Sequence, residues 1–142
     1  MCPILIKGRE DLLLLLVEAQ KKHGYLTPRL LTEMAKSLGL SLGDIYGVAT
    51  FYSFLSVKPQ GRNVIRICKS LPCFLKNNHV IIESIEREIG ISLYETTSDG
   101  RFSLQLTNCI GACDRAPAMM INSDIHTDLT PSKIPKILGL YC

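Results

Sequence analysis

The sequence predicts an α+β protein in two parts: an N-terminal helical bundle over residues 1–58, then a small α/β domain with a mixed sheet over residues 59–142. Two observations carry this reading. Apolar residues recur at helical spacing early in the chain, and after the turn-rich break Lys58-Pro59-Gln60-Gly61 the period switches to the alternation of strands. The apolar content, 46%, suffices for a packed interior.

The elements follow in order. Residues 9–23 place Leu12, Leu13, Leu15, Leu16 and Ala19 near one helical stripe, and Leu14 and Val17 widen it. Gly24 is a C-cap. Thr27-Pro28 supplies an N-cap followed by proline at the first helical position, opening a helix to about Ser37 that Gly39 closes. Ser41-x-x-Asp44 resembles a capping box with aspartate in place of glutamate, and opens a third helix through about Leu55. Helices this short are marginal alone, so they must pack on one another. Beyond the break, Asn63–Cys68 reads as a strand and Leu75–Ile89 as a helix ended by Gly90. Ile91–Thr96, the Asp99-Gly100 turn and Phe102-x-Leu104-x-Leu106 give a hairpin signal. Met119–Ile121 reads as a short strand, and Thr130-Pro131 opens a last helix to about Leu138. A helix joining the first two strands, with further strands beside them, fits a thioredoxin-like layer.

Composition narrows the function. A net charge of +3 with scattered lysines and arginines predicts no nucleic-acid partner. The longest apolar run, Leu12–Val17, falls far short of the roughly 20 residues a spanning helix needs, so no direct membrane insertion is expected. Met1-Cys2-Pro3 lacks a basic leader region, which predicts a cytoplasmic, reducing location and metal or redox work for paired cysteines. Cys2 and Cys142 read as incidental free thiols.

The other cysteines form two close pairs, Cys68-x4-Cys73 and Cys109-x3-Cys113. The first spans a strand-to-helix junction, where helix N–H groups would lower thiolate pKa values. The second lies in a loop where Gly111 lets the backbone curve and aim N–H groups at sulfur. Four thiolates suit an iron–sulfur cluster or zinc. The spacing also leaves open a dithiol, though C-x-x-C is absent, and ordinary buried cysteines.

Longer motifs go further. Ile45-Tyr-Gly-Val-Ala-Thr-Phe-Tyr-Ser-Phe54, Pro59-x-Gly61, Ser98-Asp-Gly-Arg-Phe102 and Cys109-Ile-Gly-Ala-Cys-Asp-Arg-Ala-Pro-Ala-Met-Met-Ile121, taken with the first cysteine pair, resemble the thioredoxin-like [2Fe-2S] ferredoxin family. That family includes the E subunits of NADH:quinone oxidoreductase (respiratory complex I). It also includes the matching small subunits of NAD(P)-dependent, often electron-bifurcating iron hydrogenases and of formate dehydrogenases. The resemblance implies one [2Fe-2S] cluster on Cys68, Cys73, Cys109 and Cys113. It implies an electron-transfer subunit, without a substrate site of its own, beside a subunit that holds FMN and binds NAD(P)H. The helical N-terminal part would make some of that contact, and a hydrogenase or other catalytic subunit is a further expected partner. Leu71-Pro72 departs from the family's usual Thr-Ala or Thr-Ser step, and Pro72 removes a backbone donor near the cluster. The chain is short at both ends beside the respiratory members, which favours a hydrogenase-type complex.

Several residues read as structural. Lys69, Lys76 and Arg115 read as solvated surface charge, and Tyr46, Phe51, Tyr52 and Phe54 as helix core. His23, His79 and His126 match no metal spacing. No phosphate loop, dinucleotide fingerprint or nucleophile–base set is present, so FMN and NAD(P)H are expected only in the partner. The alternative of another class is a zinc-stabilised interaction module that carries no electrons.

Overall fold

A computed structural model describes residues 9–141, so Cys2 and Cys142 lie outside the described residues. The chain divides into two compact units, Met1–Pro59 and Gln60–Cys142.

In the first unit, a 3-10 turn (Arg9–Asp11) leads into α1 (Leu12–His23), followed by α2 (Pro28–Leu38) and α3 (Leu42–Phe51). The start signals act as their chemistry requires. The Thr27 hydroxyl accepts the Leu30 N–H at 3.2 Å, and Ser41 Oγ accepts the Asp44 N–H at 3.0 Å. Only half of the capping box forms, because the Asp44 carboxylate takes the Ser41 hydroxyl proton at 2.7 Å instead of reaching back to a backbone N–H. Leu12, Leu16, Leu26, Leu31, Ala35, Ile45 and Ala49 form the core. Each large aliphatic side chain among them contributes about 1.5–3 kcal/mol by leaving water.

Two expectations fail here. α3 stops at Phe51 rather than near Leu55, because Tyr52 turns to an extended conformation. The freed backbone is taken up by Gln20, whose side chain donates to Phe54 O and accepts from Ser56 N, both at 2.6 Å. The aromatic set is not helix core either. Tyr46, Phe51, Tyr52 and Phe54 are all exposed, Phe51 to 80%: Ile45 and Ala49, one helical turn apart, form the buried face of α3, and Tyr52 and Phe54 lie past its end.

In the second unit the order is β1 (Asn63–Cys68), α4 (Leu71–Leu75), α5 (Asn78–Ile89), β2 (Phe102–Thr107), β3 (Met119–Ile121), β4 (Asp124–His126) and α6 (Ile134–Leu138). The sheet runs β2-β1-β3-β4, with β2 parallel to β1 and the other two pairings antiparallel. Ile65, Ile67, Leu104, Met119 and Ile121 from the sheet pack with Ile81, Ile85, Ile134 and Leu138 from α5 and α6. Gly61 is a place where only glycine fits. A Cβ there would stand 2.8 Å from the Phe102 carbonyl carbon, while the Gly61 N–H donates to Ser103 Oγ at 2.7 Å.

Four elements differ from the sequence reading. The expected helix from Leu75 starts three residues later, as α5, and a separate short helix, α4, ends at Leu75, the two parted where Asn77 adopts φ 59°. The expected hairpin has one regular arm: residues 91–96 bond to β2 through Tyr94 N to Leu104 O, but positive φ at Tyr94 leaves a single bridge, Thr96 to Ser103. A hairpin appears instead between β3 and β4, turning through Asn122 at φ 54°. The Thr130-Pro131 start is a 3-10 turn (Pro131–Lys133) ahead of α6.

Candidate metal centre

The parallel pairing of β1 and β2 builds the site. Cys68 ends β1 and Thr107 ends β2, in register with each other, so both cysteine loops leave the same end of the sheet. Lys69 N donates to Thr107 O at 2.9 Å, closing the first step of the two loops together. β3 runs the opposite way beside β1 and brings Ala118 to that end, where its carbonyl accepts the Cys68 N–H at 3.2 Å. Cys68, Cys73 and Ala118 form a small buried cluster, with Ile110, Ala112 and Ala116 packed against it.

Cys109 Sγ lies 3.0 Å from Cys113 Sγ, and Cys68 stands near enough to Cys73 and Cys109 to act on the titration of both. Burial pushes the Cys73 thiol above its usual pKa; the Ala118 backbone opposes this, and Cys68 and Cys109 add to it. For Cys73 this departs from the expected lowering because burial outweighs the backbone N–H groups, Cys73 lying 1% exposed inside the short α4. Cys109 is held below the usual value by the Cys113 thiol and then by the Gly111 N–H, 3.4 Å from its sulfur. Cys113, the partner of that hydrogen bond, is pushed up to about 11. Gly111 has φ +84°, the conformation that lets its N–H turn toward Cys109.

This arrangement fits a thiolate-bound group. Sulfurs this close resist losing all their protons together, and a bound cation supplies the compensating charge. Among the described residues no three His, Cys, Asp or Glu side chains are gathered to enclose a single ion. Four cysteine thiols at one end of the sheet are the kind of donor set that would suit a thiolate-held iron–sulfur group.

Three supporting residues escaped the sequence reading. Asn78, buried at the start of α5, donates its side-chain N–H to Cys68 O at 2.9 Å. The Asn77-Asn78 pair inside a helical pattern was the available signal, since asparagine tolerates the left-handed region. Ala118 acts through its backbone, which no motif reports. Asp128 pairs with Arg115, its Oδ2 2.7 Å from Arg115 Nη2. Arg115 is therefore exposed but not simply solvated, while Lys69 and Lys76 are exposed as expected. His126 bonds the Tyr141 hydroxyl at 3.0 Å, on the β4 side of the sheet. No helix among the described residues is long and apolar enough to cross a membrane.

The E subunit of the NADH-quinone oxidoreductase of Pseudomonas aeruginosa is 39% identical over 122 residues, which cover 86% of this chain and 74% of that protein. Its counterpart in Escherichia coli K12 is 42% identical with the same coverage, and that of Buchnera aphidicola from Acyrthosiphon pisum is 41% identical over 95% of this chain and 86% of its own. Among solved structures, an NAD+-reducing [NiFe]-hydrogenase in the air-oxidized state matches with a TM-score of 0.78 at 24% identity, over 92% of this chain but only 22% of the hydrogenase chain, a likeness of fold. The family match runs over residues 5–141, nearly the whole sequence, and the chain is a member of the thioredoxin-like [2Fe-2S] ferredoxin family.

Proposed function

We propose that Cys68, Cys73, Cys109 and Cys113 hold the [2Fe-2S] cluster of this electron-transfer subunit, and that its electrons are exchanged with FMN in a partner subunit that binds NAD(P)H. The observation that carries the ligand assignment is the parallel register of β1 and β2, which sets Cys68 opposite Thr107 so that two loops far apart in sequence leave one end of the sheet. A cluster of this kind supplies one-electron chemistry, which lets it meet a flavin that exchanges one electron or two. The chain's own residues set the conditions. Buried Cys68 and Cys73 keep water from one side, and the Gly111 N–H aimed at Cys109 stabilises negative charge on sulfur.

The relatives named above are subunits of multi-subunit NADH-quinone oxidoreductases, and this chain likewise works with partner subunits. The parent assembly is an NADH-quinone oxidoreductase or a hydrogenase-type, electron-bifurcating complex, in the cytoplasm or on its side of a membrane. The ligands belong to the α/β domain, residues 59–142, and the helical bundle, residues 1–58, contributes to the partner contact. The exposed Tyr46, Phe51, Tyr52 and Phe54 support that role, since aromatic side chains anchor interfaces well.

Low-temperature EPR on anaerobically purified protein, with iron, sulfide and zinc assays, tests the cofactor assignment. The expected result is a signal only after dithionite reduction, with equal iron and sulfide. A well-folded sample holding zinc and no sulfide would instead support the interaction module. The partner is tested by adding NADH with and without the co-purified flavin subunit; reduction of the cluster only in its presence is expected.

A further inference from the structure

We propose that Arg115 and Asp128 form a latch that holds the Cys109–Cys113 loop in position and thereby sets how long the chain retains its cluster. This rests on the assignment of the four cysteines given above.

The latch is double. Asp128 Oδ2 accepts from Arg115 Nε at 2.8 Å and lies 2.7 Å from Arg115 Nη2. In the reverse direction, the Asp128 N–H donates to Arg115 O at 2.9 Å. Thus each residue bonds the other through both side chain and backbone. Asp128 is itself held. Its carbonyl accepts from Lys133 Nζ at 2.7 Å, its Oδ2 lies 3.4 Å from the Thr127 hydroxyl, and its backbone sits at φ 50°, where aspartate is among the better-tolerated residues. One residue on, Leu129 N donates to Pro117 O at 3.2 Å, and the buried Leu129 side chain anchors this segment in the main core.

The position of the latch gives it its consequence. Arg115 stands two residues after Cys113, in the 3-10 turn Cys113–Arg115. In the loop before it Cys109 and Cys113 are exposed while Ile110 and Ala112 pack against the Cys68–Cys73 cluster, and the hydrogen bonds seen within the loop are short-range: Gly111 N to Cys109 Sγ, and Arg115 N to Ala112 O. The hydrogen bonds seen from residues 108–117 to a distant part of the described chain run to Asp128 and Leu129. The first cysteine pair needs no such device, since Cys68 and Cys73 are buried. Release of Arg115 would let Cys113 swing from its place before any other ligand moved. Arg115 and Asp128 are positioning residues, since neither contributes sulfur.

The test is the rate of cluster loss from the purified holoprotein in excess iron chelator, followed by visible absorbance. Asp128→Asn and Arg115→Gln are each expected to lose the cluster about two- to fivefold faster than the parent chain, the range an exposed ion pair supports. The double variant is expected to match either single one, because the two act through one interaction. Raising the salt should speed loss in the parent chain and leave the variants unchanged, since salt screens exposed charge. Arg115→Lys, with one compact ammonium in place of the planar fork, should fall between. Arg115→Gln leaves the backbone at 128 alone and carries the test if Asp128→Asn folds poorly. Parent-like rates in both variants, or additive effects in the double variant, would overturn the latch. A parent protein lacking iron and sulfide would overturn the cluster assignment itself, and the latch with it.

Discussion

In the proposed site the two cysteine pairs are held by opposite means. Cys68 and Cys73 are each only 1% exposed, one at the end of the central strand and the other in a helix that packs beside it. Their backbone is tied to β2 through Thr107, to the approach of β3 through Ala118, and to α5 through Asn78. Cys109 and Cys113 are exposed on a loop shaped by one positive-φ glycine and one ion pair. The first pair is held by the core, so whatever loosens it loosens the domain. The second is held by local chemistry, so it can be disturbed while the domain stands. The proposed ligand set thus has one rigid side and one adjustable side.

The sharpest way to break this comparison is to remove a ligand from each side. Cys68→Ala and Cys113→Ala are both expected to abolish stable cluster assembly, read as loss of iron and sulfide together; a full complement in either variant removes that cysteine from the ligand set. The two should differ once the metal is gone. Metal-free Cys113→Ala should unfold within about 0.5 kcal/mol of the parent, as surface changes do. Asn78→Ala strips the partner from the buried Cys68 carbonyl and should cost about 1–3 kcal/mol in denaturant unfolding of the metal-free chain. An effect near zero would show that the rigid side does not depend on α5. Gly111→Ala places a side chain at φ +84° and should cost roughly 1 kcal/mol, together with faster cluster loss. The smallest global effect belongs to metal removal itself. Amide exchange should rise over residues 109–116 while Ile65, Ile67, Ile81 and Ile85 stay protected. Equal deprotection of both sides would end the distinction.

What could be read from the sequence divides along the range of the forces involved. Thr27-Pro28, Ser41 and Gly39 marked helix ends correctly because a cap is a contact between residues a few positions apart. The strand Asn63–Cys68 was also legible, being a compact β-branched run after a turn. The break at Asn77, the irregular arm around Tyr94 and the hairpin at Asn122 were missed. Each depends on a non-glycine residue held at positive φ, which surrounding structure imposes against the local preference. The aromatic set of α3 misled for a related reason. Periodicity detects an apolar stripe but cannot tell whether that stripe faces the bundle's own core or lies open on the surface.

By itself the sequence determined the four sulfurs, their grouping in pairs, the family through its motifs, and the helices whose caps are local. Only the tertiary structure decided that β2 lies parallel to β1 with Cys68 opposite Thr107, which brings the two loops to one end of the sheet. It alone also made one pair buried and the other exposed, and matched Arg115 with Asp128 across the segment that carries β3 and β4. The physical reason is that strand direction and register are chosen by burying apolar side chains from distant stretches in one core. No spacing within a single loop contains that choice.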